Sequence, residues 1–431
     1  MTPERLAQER LAQERLAQER LAQERLAQER LAETVRVEGR RVLATLVRTV
    51  GSLAVAEDAV QDAVLAALAS WPRTGVPDDP RAWLTVTARR KAYDVLRREA
   101  VRPAKESAAG RELVAGEEVV PIEPESAVRD DLLRLLFTCC HPALRREAQV
   151  ALALRTLAGL EVPAIARAFL VPEATMAKRL VRARQKIAAA RIPYRVPSDA
   201  ELPERLPAVL AVVHLIATEG HAPSSGDGVV RVDLETEALR LARLVAELMP
   251  GEPEVLSLLA LLLLTRARRP ARADARGRPV LLADQDRSRW DGDAIREGVA
   301  RLAEAVRRSG GVAGPYQLQA HLAACHSTAP SWAETDWDRI VGLYDLVLTL
   351  GPNPAVALNR AVAVGRRDGP AAALAALDAD PLRTHLWHAA RADALTGLGW
   401  TADARAELVA AIELAPTAPD RRLLADRLAA L

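Results

Sequence analysis

Residues 159–191 read GLEVPAIARAFLVPEATMAKRLVRARQKIAAAR. Val162, Ile165, Ala166, Phe169 and Leu170 fall at i, i+3, i+4, i+7 and i+8, the spacing of one apolar helical stripe. Leu170, Val171 and Pro172 form a tight junction. Proline suits the first turn of a new helix, and Glu173 complements the positive end of its dipole. In that second helix the spacing predicts Met176, Leu180, Ala183 and Ile187 facing inward, with Thr175, Lys178, Arg179, Arg182 and Lys186 outward. From Lys178 to Arg191 there are six basic residues and no acidic one. The stretch reads as a helix-turn-helix. A duplex major groove admits one helix, and phosphate-neutralising and base-reading side chains belong there. The bland alternative is a basic amphipathic helix on any soluble protein.

The 431 residues suggest two to four domains, and 50% hydrophobic residues predict a folded chain. The net charge is only +2, so a nucleic-acid site must come from local clustering. Ala, Leu and Arg dominate and β-branched runs are scarce, which predicts helix throughout. Three cysteines, Cys139, Cys140 and Cys325, are too few for a disulfide framework and fit a reducing cytoplasm. The longest apolar run, Val255 to Thr265, is too short to span a bilayer. The charged N-terminus does not read as a signal peptide.

Residues 1–32 repeat ERLAQ. Five residues advance a helix by about 140°, so Leu6, Leu11, Leu16, Leu21, Leu26 and Leu31 spiral around it and form no coiled-coil seam. An exposed helix or frayed, dispensable tail is expected. Residues 33–102 read as three or four helices. Val42, Leu43, Leu46, Val47 and Val50 mark the first, closed by Gly51. In the second, AEDAVQDAVLAAL, the pattern predicts Val60, Val64 and Leu68 as the buried stripe, with Asp58, Gln61, Asp62 and Leu65 on a separate, partly polar face. The loop WPRTGVPDDP follows, with Asp79 as N-cap and Pro80 opening the next helix. That helix, Arg81 to Arg98, carries Arg89, Arg90, Lys91, Arg97 and Arg98, while Leu84, Ala88, Ala92 and Val95 suit a core. It is a second basic helix.

Residues 103–127 form an acidic linker with Glu106, Glu112, Glu117, Glu118, Glu123 and Glu125. Residues 128–195 supply two helices and then the helix-turn-helix. Cys139-Cys140-His141 lacks the spacing of a zinc site and reads as buried thiols near a helix end. No metal or cofactor is expected. Residues 196–431 read as a helical extension without a catalytic cluster. Asp284, Asp286, Arg287, Arg289 and Trp290 read as a buried ion-pair network in preference to a ligand site. The neighbouring VLL suggests a short extended piece. Pro352 and Pro416 close similar segments 64 residues apart, close to two units of 32, and the helix pairs resemble tetratricopeptide repeats. The scattered histidines read as structural. No nucleophile–base pair, Gly-rich phosphate loop or HExxH appears, so no enzyme is expected.

Taken together, AEDAVQDAVLAAL, PRAWLTVTARRKAYDVLRR, the acidic linker and the helix-turn-helix resemble, in this order, a bacterial RNA polymerase sigma factor. The resemblance covers residues 34–195 and is to the extracytoplasmic-function group of the sigma-70 family, which keeps regions 2 and 4. FTCCHPAL is similar to the subgroup with a long C-terminal extension ending in tetratricopeptide-like repeats. The resemblance implies an all-α chain with two small sigma domains and a helical extension. It implies that Asp58, Gln61, Asp62 and Leu65 grip core polymerase (β and β′ subunits). It implies that the loop Pro72–Asp79, with Arg73, and the helix bearing Arg89, Arg90, Tyr93 and Arg97 open and read the −10 element of promoter DNA. Many relatives carry Asn where Arg90 stands. Thr175, Lys178, Arg179, Arg182 and Lys186 would read the −35 element. The extension would modulate activity and hold a protein or small-molecule ligand. A helix-turn-helix regulator with a tetratricopeptide sensor is the alternative, and it leaves the Arg81–Arg98 helix unexplained.

Overall fold

The structure is a computed structural model that describes residues 3–104, 125–169, 171–190, 192, 194–198, 200–224, 228–379 and 383–431. Among these residues the chain is all-α, with no sheet and one isolated antiparallel bridge between Ala273 and Pro279. It divides into two compact units, Met1–Val209 and Leu210–Leu431.

Unit 1 opens on α1 (Pro3–Val50), a single helix of 48 residues. Of the exposed helix or frayed tail expected for the repeats, the structure shows the helix, continuous with the segment that follows. ERLAQ contains only good helix formers and nothing that stops a helix, so the repeats run unbroken into the segment carrying Val42 and Leu46. The spiral has a consequence. Leu21 and Leu26 are exposed, but Leu31 is 3% and Ala27 5% exposed, so the last repeat reaches the core. The side chains of Leu6, Leu11 and Leu16 lie outside the described residues. Gly51, at φ 73°, ends the helix with its N–H on Val47 O at 2.7 Å.

Helix α2 (Leu53–Thr74) is capped by Ser52, whose Oγ accepts from the Val55 N–H. Its buried face is Leu53, Ala56, Ala59, Ala63, Ala67 and Trp71. This corrects the predicted stripe: Val60 and Val64 are half-buried and Leu68 is 43% exposed. Alanines let α2 approach its neighbours closely, and the larger side chains are left outside. Helix α2 also takes in Trp71, Pro72 and Arg73, expected in the loop, and closes at Gly75, whose N–H meets Trp71 O at 3.0 Å. Helix α3 (Pro80–Ala104) begins as the sequence predicts, with Asp79 Oδ1 accepting from the Ala82 N–H at 2.9 Å. Leu84, Ala88 and Ala92 are buried, and Trp83 meets Trp71 edge to face at 5.6 Å. Helices α1, α2 and α3 pack on one another.

Most of the acidic linker, 105–124, lies outside the described residues. Then follow α4 (Glu125–Cys139), α5 (Arg146–Thr156), α6 (Val162–Ala168) and α7 (Glu173–Ala189). Cys139 and Cys140 are buried free thiols, and Cys139 Sγ lies 3.3 Å from Thr156 Oγ1. Burial pushes Cys139 up to about 12. Helix α1 also packs on α4. Asp131, fully buried, receives Arg48 at 3.0 Å and Arg134 at 2.9 Å. The Tyr194 hydroxyl is shared between Asp131 O at 2.6 Å and Ala44 O at 3.0 Å. Arg205, in α8 (Leu202–His221), is buried and donates to Phe137 O and to Glu201. Residues 196–209 therefore belong with unit 1.

Unit 2 continues with α9 (Val232–Leu248), α10 (Pro253–Ala267), α11 (Gly292–Arg308) and α12 (Pro315–Thr328). Helix α10 is apolar on all sides, and α9, α11 and α12 pack around it. The expected extended piece, VLL at 280–282, forms no strand: Leu282–Asp284 is a 3-10 turn, and the isolated bridge at Ala273–Pro279 lies just before it. The expected buried ion-pair network is corrected too. Asp284, Asp286 and Arg289 are exposed, and Asp286 accepts from the Ser288 N–H. Arg287 and Trp290 turn inward, the guanidinium 4.5 Å over the ring. The chain ends with α13 (Trp337–Thr349), α14 (Pro354–Asp368), α15 (Pro370–Ala379), α16 (His385–Gly397), α17 (Thr401–Leu414) and α18 (Ala418–Ala430), each packed on the next. No described helix is long and apolar enough to cross a membrane.

Candidate nucleic-acid interface

Helix α7 buries Met176, Leu180, Ala183 and Ile187, the inner stripe the spacing predicts. Pro172 is its N-cap, one position earlier than expected, and the Val171 N–H closes the junction on Ala166 O at 3.0 Å. Leu170 lies outside the described residues. The opposite face presents Thr175, Lys178, Arg182 and Lys186 to solvent. Arg179 is only half exposed, because its guanidinium lies 5.8 Å over the Phe169 ring. That contact spends part of its cationic surface on the helix-turn-helix junction.

Helix α3 carries the other basic face. Arg90, Tyr93 and Arg97 are exposed, and Arg89 is half-buried. Tyr93, 47% exposed, lies between Arg90 and Arg97 along the helix. Arg73 lies apart from this row. It stands in the last turn of α2, with its Nε donating to Ala69 O at 3.2 Å. Arg30, Thr34 and Val37 of α1 and Val76, Pro77 and Asp78 of the α2–α3 loop line a cavity of about 640 Å³. The sequence pattern alone did not join these two segments, because nothing local places the end of a repeat beside a loop forty residues on.

On α2, Asp58, Gln61, Asp62 and Leu65 share one exposed face, with Leu65 62% exposed beside Leu68. An acidic face with protruding leucines is poor for DNA and suited to a protein partner. The preceding residue, Glu57, turns the other way to meet Arg184 of α7 at 2.6 Å. Burial raises the Glu57 carboxyl, and the Arg184 guanidinium offsets this only in part.

Comparison with known proteins agrees with this division. Residues 34–102 match sigma-70 region 2, residues 134–187 match sigma-70 region 4, and residues 205–306 match a family of unknown function, DUF6596. The chain is 42% identical over 404 residues to uncharacterized protein R00370 of Rhizobium meliloti (strain 1021), covering 90% of this chain and 94% of that protein. No solved structure matches. With region 2 on α1–α3, region 4 on the helix-turn-helix and a helical part behind them, the chain belongs to the sigma-70 family, whose members bind core RNA polymerase and recognise promoter DNA.

Proposed function

We propose that this chain is a sigma factor of the extracytoplasmic-function group, with its own C-terminal extension modulating its activity. The observation that carries the reading is the presence of two separate basic faces, on α3 and α7, beside an acidic and apolar face on α2. One duplex-binding helix would serve an ordinary regulator. A second basic face with an exposed tyrosine serves an opened strand, and the α2 face serves the polymerase that opens it.

In this reading Asp58, Gln61, Asp62 and Leu65 bind core polymerase. Arg89, Arg90, Tyr93 and Arg97, with Arg73 at the end of α2, engage the −10 element. Thr175, Lys178, Arg179, Arg182 and Lys186 engage the −35 element. The sigma domains occupy 33–102 and 128–195, and the helix pairs from α13 onward form tetratricopeptide-like repeats, each burying its face on the next. Run-off transcription with purified core polymerase and this protein tests the reading. Promoter-specific transcripts that require both components are expected. Tight, specific duplex binding by the protein alone, with no transcription when core is added, would point to a helix-turn-helix regulator instead. A chain ending at Val209 keeps unit 1 whole. Comparing its promoter output with that of the full chain tests the extension, and equal output would remove its modulating role.

A further inference from the structure

Unit 2 gathers several cations of which one, Arg268, has no carboxylate acting on it. Helix α10 ends at Ala267, and the chain turns through Arg268, Arg269, Pro270, Ala271 and Arg272. Arg272 donates to the carbonyl of His221 at the end of α8. Arg287 donates to the carbonyls of His326 at 2.8 Å and Ala329 at 2.7 Å, at the end of α12. Ser327 Oγ donates to Leu264 O at 3.2 Å and ties α12 to α10. Three helix C-termini therefore meet here, and each carries a partial negative charge of roughly half a unit that attracts cations.

That attraction accounts for Arg272 and Arg287 but not for Arg268. The Nε of Arg268 is buried with no hydrogen-bond partner, as are Nη2 of Arg287 and Nδ1 of His326. The buried carboxylate of Glu235 lies 3.5 Å from His221 Nδ1 and 3.6 Å from Arg269, and its Oε2 has no hydrogen-bond partner. Glu334 acts on Arg287, and Glu235 and Asp420 act on Arg272, but no carboxylate acts on Arg268. Burial first, then the nearby Arg272 and Arg287, hold Arg268 down to about 10. Burial and the charges of Arg268 and Arg287 hold His326 down to about 4. Water can satisfy an orphaned N–H, but it does not neutralise like charges gathered in a poorly solvated place. A tetrahedral oxyanion does both, and guanidinium groups suit its geometry.

We propose that Arg268, Arg287 and His326, with Arg272 beside them, form a binding site for a small oxyanion of the phosphate class, free or as a monoester. Arg268 supplies the unpaired charge, Arg287 the free edge of a guanidinium already fixed by two carbonyls and Trp290, and His326 a neutral ring nitrogen. The site gives the extension a ligand of its own, and it stands whether or not unit 1 reads a promoter.

The test uses the full chain at constant ionic strength, with inorganic phosphate, glycerol 3-phosphate and citrate as probes, followed by calorimetric titration and thermal unfolding. One saturable site per chain for a phosphate is expected. Arg268→Met should weaken it at least tenfold, whereas Arg289→Met, at an exposed neighbour, should leave it unchanged. Without phosphate, Arg268→Met should unfold at the same temperature as the parent or higher, because it removes an uncompensated charge. The parent should overtake it only when phosphate is added. If Arg268→Met does not fold, Arg268→Lys keeps the charge and should bind with reduced affinity. The preferred probe separates free phosphate from a monoester. No saturable response to either phosphate, saturation by citrate alone, or a Met variant weakened equally with and without phosphate would each overturn the assignment.

Discussion

Arg184 of α7 closes to 2.6 Å on Glu57 of α2, across 127 residues of sequence. Glu57 precedes Asp58 of the acidic α2 face but turns away from that face, and Arg184 turns away from the Lys178–Lys186 surface of α7. The pair ties region 2 to region 4 within unit 1. Both side chains are mostly buried, at 13% and 29% exposure, so losing one strands the other. Arg184→Glu should destabilise unit 1 by about 1–3 kcal/mol, read by urea unfolding, and adding Glu57→Arg should restore most of the loss. Equal destabilisation in the single and double variants would show that the contact carries no stability.

The same pair has a pH signature. Burial holds the folded Glu57 carboxyl above its ordinary 4.5. The sign follows by linkage: this group's contribution is most favourable below 4.5 and is lost as the pH rises through the folded value. Glu57→Gln, which cannot ionise, should therefore flatten that part of the stability profile. A steeper acid-to-neutral decline in the variant would contradict this.

Substitutions on the three faces should separate binding from reading. Arg182→Glu, fully on the outer face of α7, should reduce use of a −35-dependent promoter at least tenfold while holoenzyme still forms. Asp62→Arg should do the reverse, weakening holoenzyme formation with α7 untouched. Arg179 is the poorer probe, because its removal also loosens the Phe169 contact. Gel-shift of core polymerase and run-off transcription on paired promoters read both effects, and loss of core binding by Arg182→Glu would break the assignment of the faces.

The α7 face was legible because Met176, Leu180, Ala183 and Ile187 are a local period, visible without any partner. The inner face of α2 was not. A hydrophobic pattern ranks Val and Leu above Ala, but closely packed helices select the small residues, so Ala59, Ala63 and Ala67 are buried and Leu68 is not. Glu57–Arg184 was illegible for another reason, since charged residues at such separation carry no local signal. The inward turn of Arg287 and Trp290 was not legible either, and Arg268, whose charge acts on that of Arg287, looks in sequence like any solvated arginine after a helix.

Three histidines of unit 2 set a second pH dependence. Burial lowers His214, His221 and His326 each to about 4. For a histidine the sign is opposite to that of Glu57. The unfolded chain takes up protons first, so stability is full above about 6.5 and falls as the pH drops from there toward 4. The loss should reach roughly a few kcal/mol for each histidine. His214→Phe, beside Tyr316 at 5.5 Å, should remove about a third of the slope without a change at pH 8. Calorimetry of the full chain from pH 8 to 4 reads it, and an unchanged slope would show that His214 titrates normally.

The repeat helix offers the sharpest contrast between neighbouring leucines. Leu26 is 57% exposed and Leu31 3%, although both stand in the same ERLA context. Only the rotation of α1 distinguishes them, since each step of five residues turns the side chain by about 140°. Leu31→Ala should therefore destabilise unit 1 by about 2–5 kcal/mol, the range of a buried leucine truncation, and Leu26→Ala by less than about 0.5 kcal/mol. Cutting the chain after residue 22 should be tolerated, but cutting after residue 32 removes Ala27 and Leu31 together with Arg30, which lines the cavity beside the α2–α3 loop. That longer cut should lower the unfolding midpoint in urea and reduce promoter opening by the reconstituted holoenzyme, read by permanganate reactivity of unpaired thymines. If both truncations and both leucine variants behave like the parent, the last repeat is an exposed tail after all and its packing against region 2 has no energetic weight.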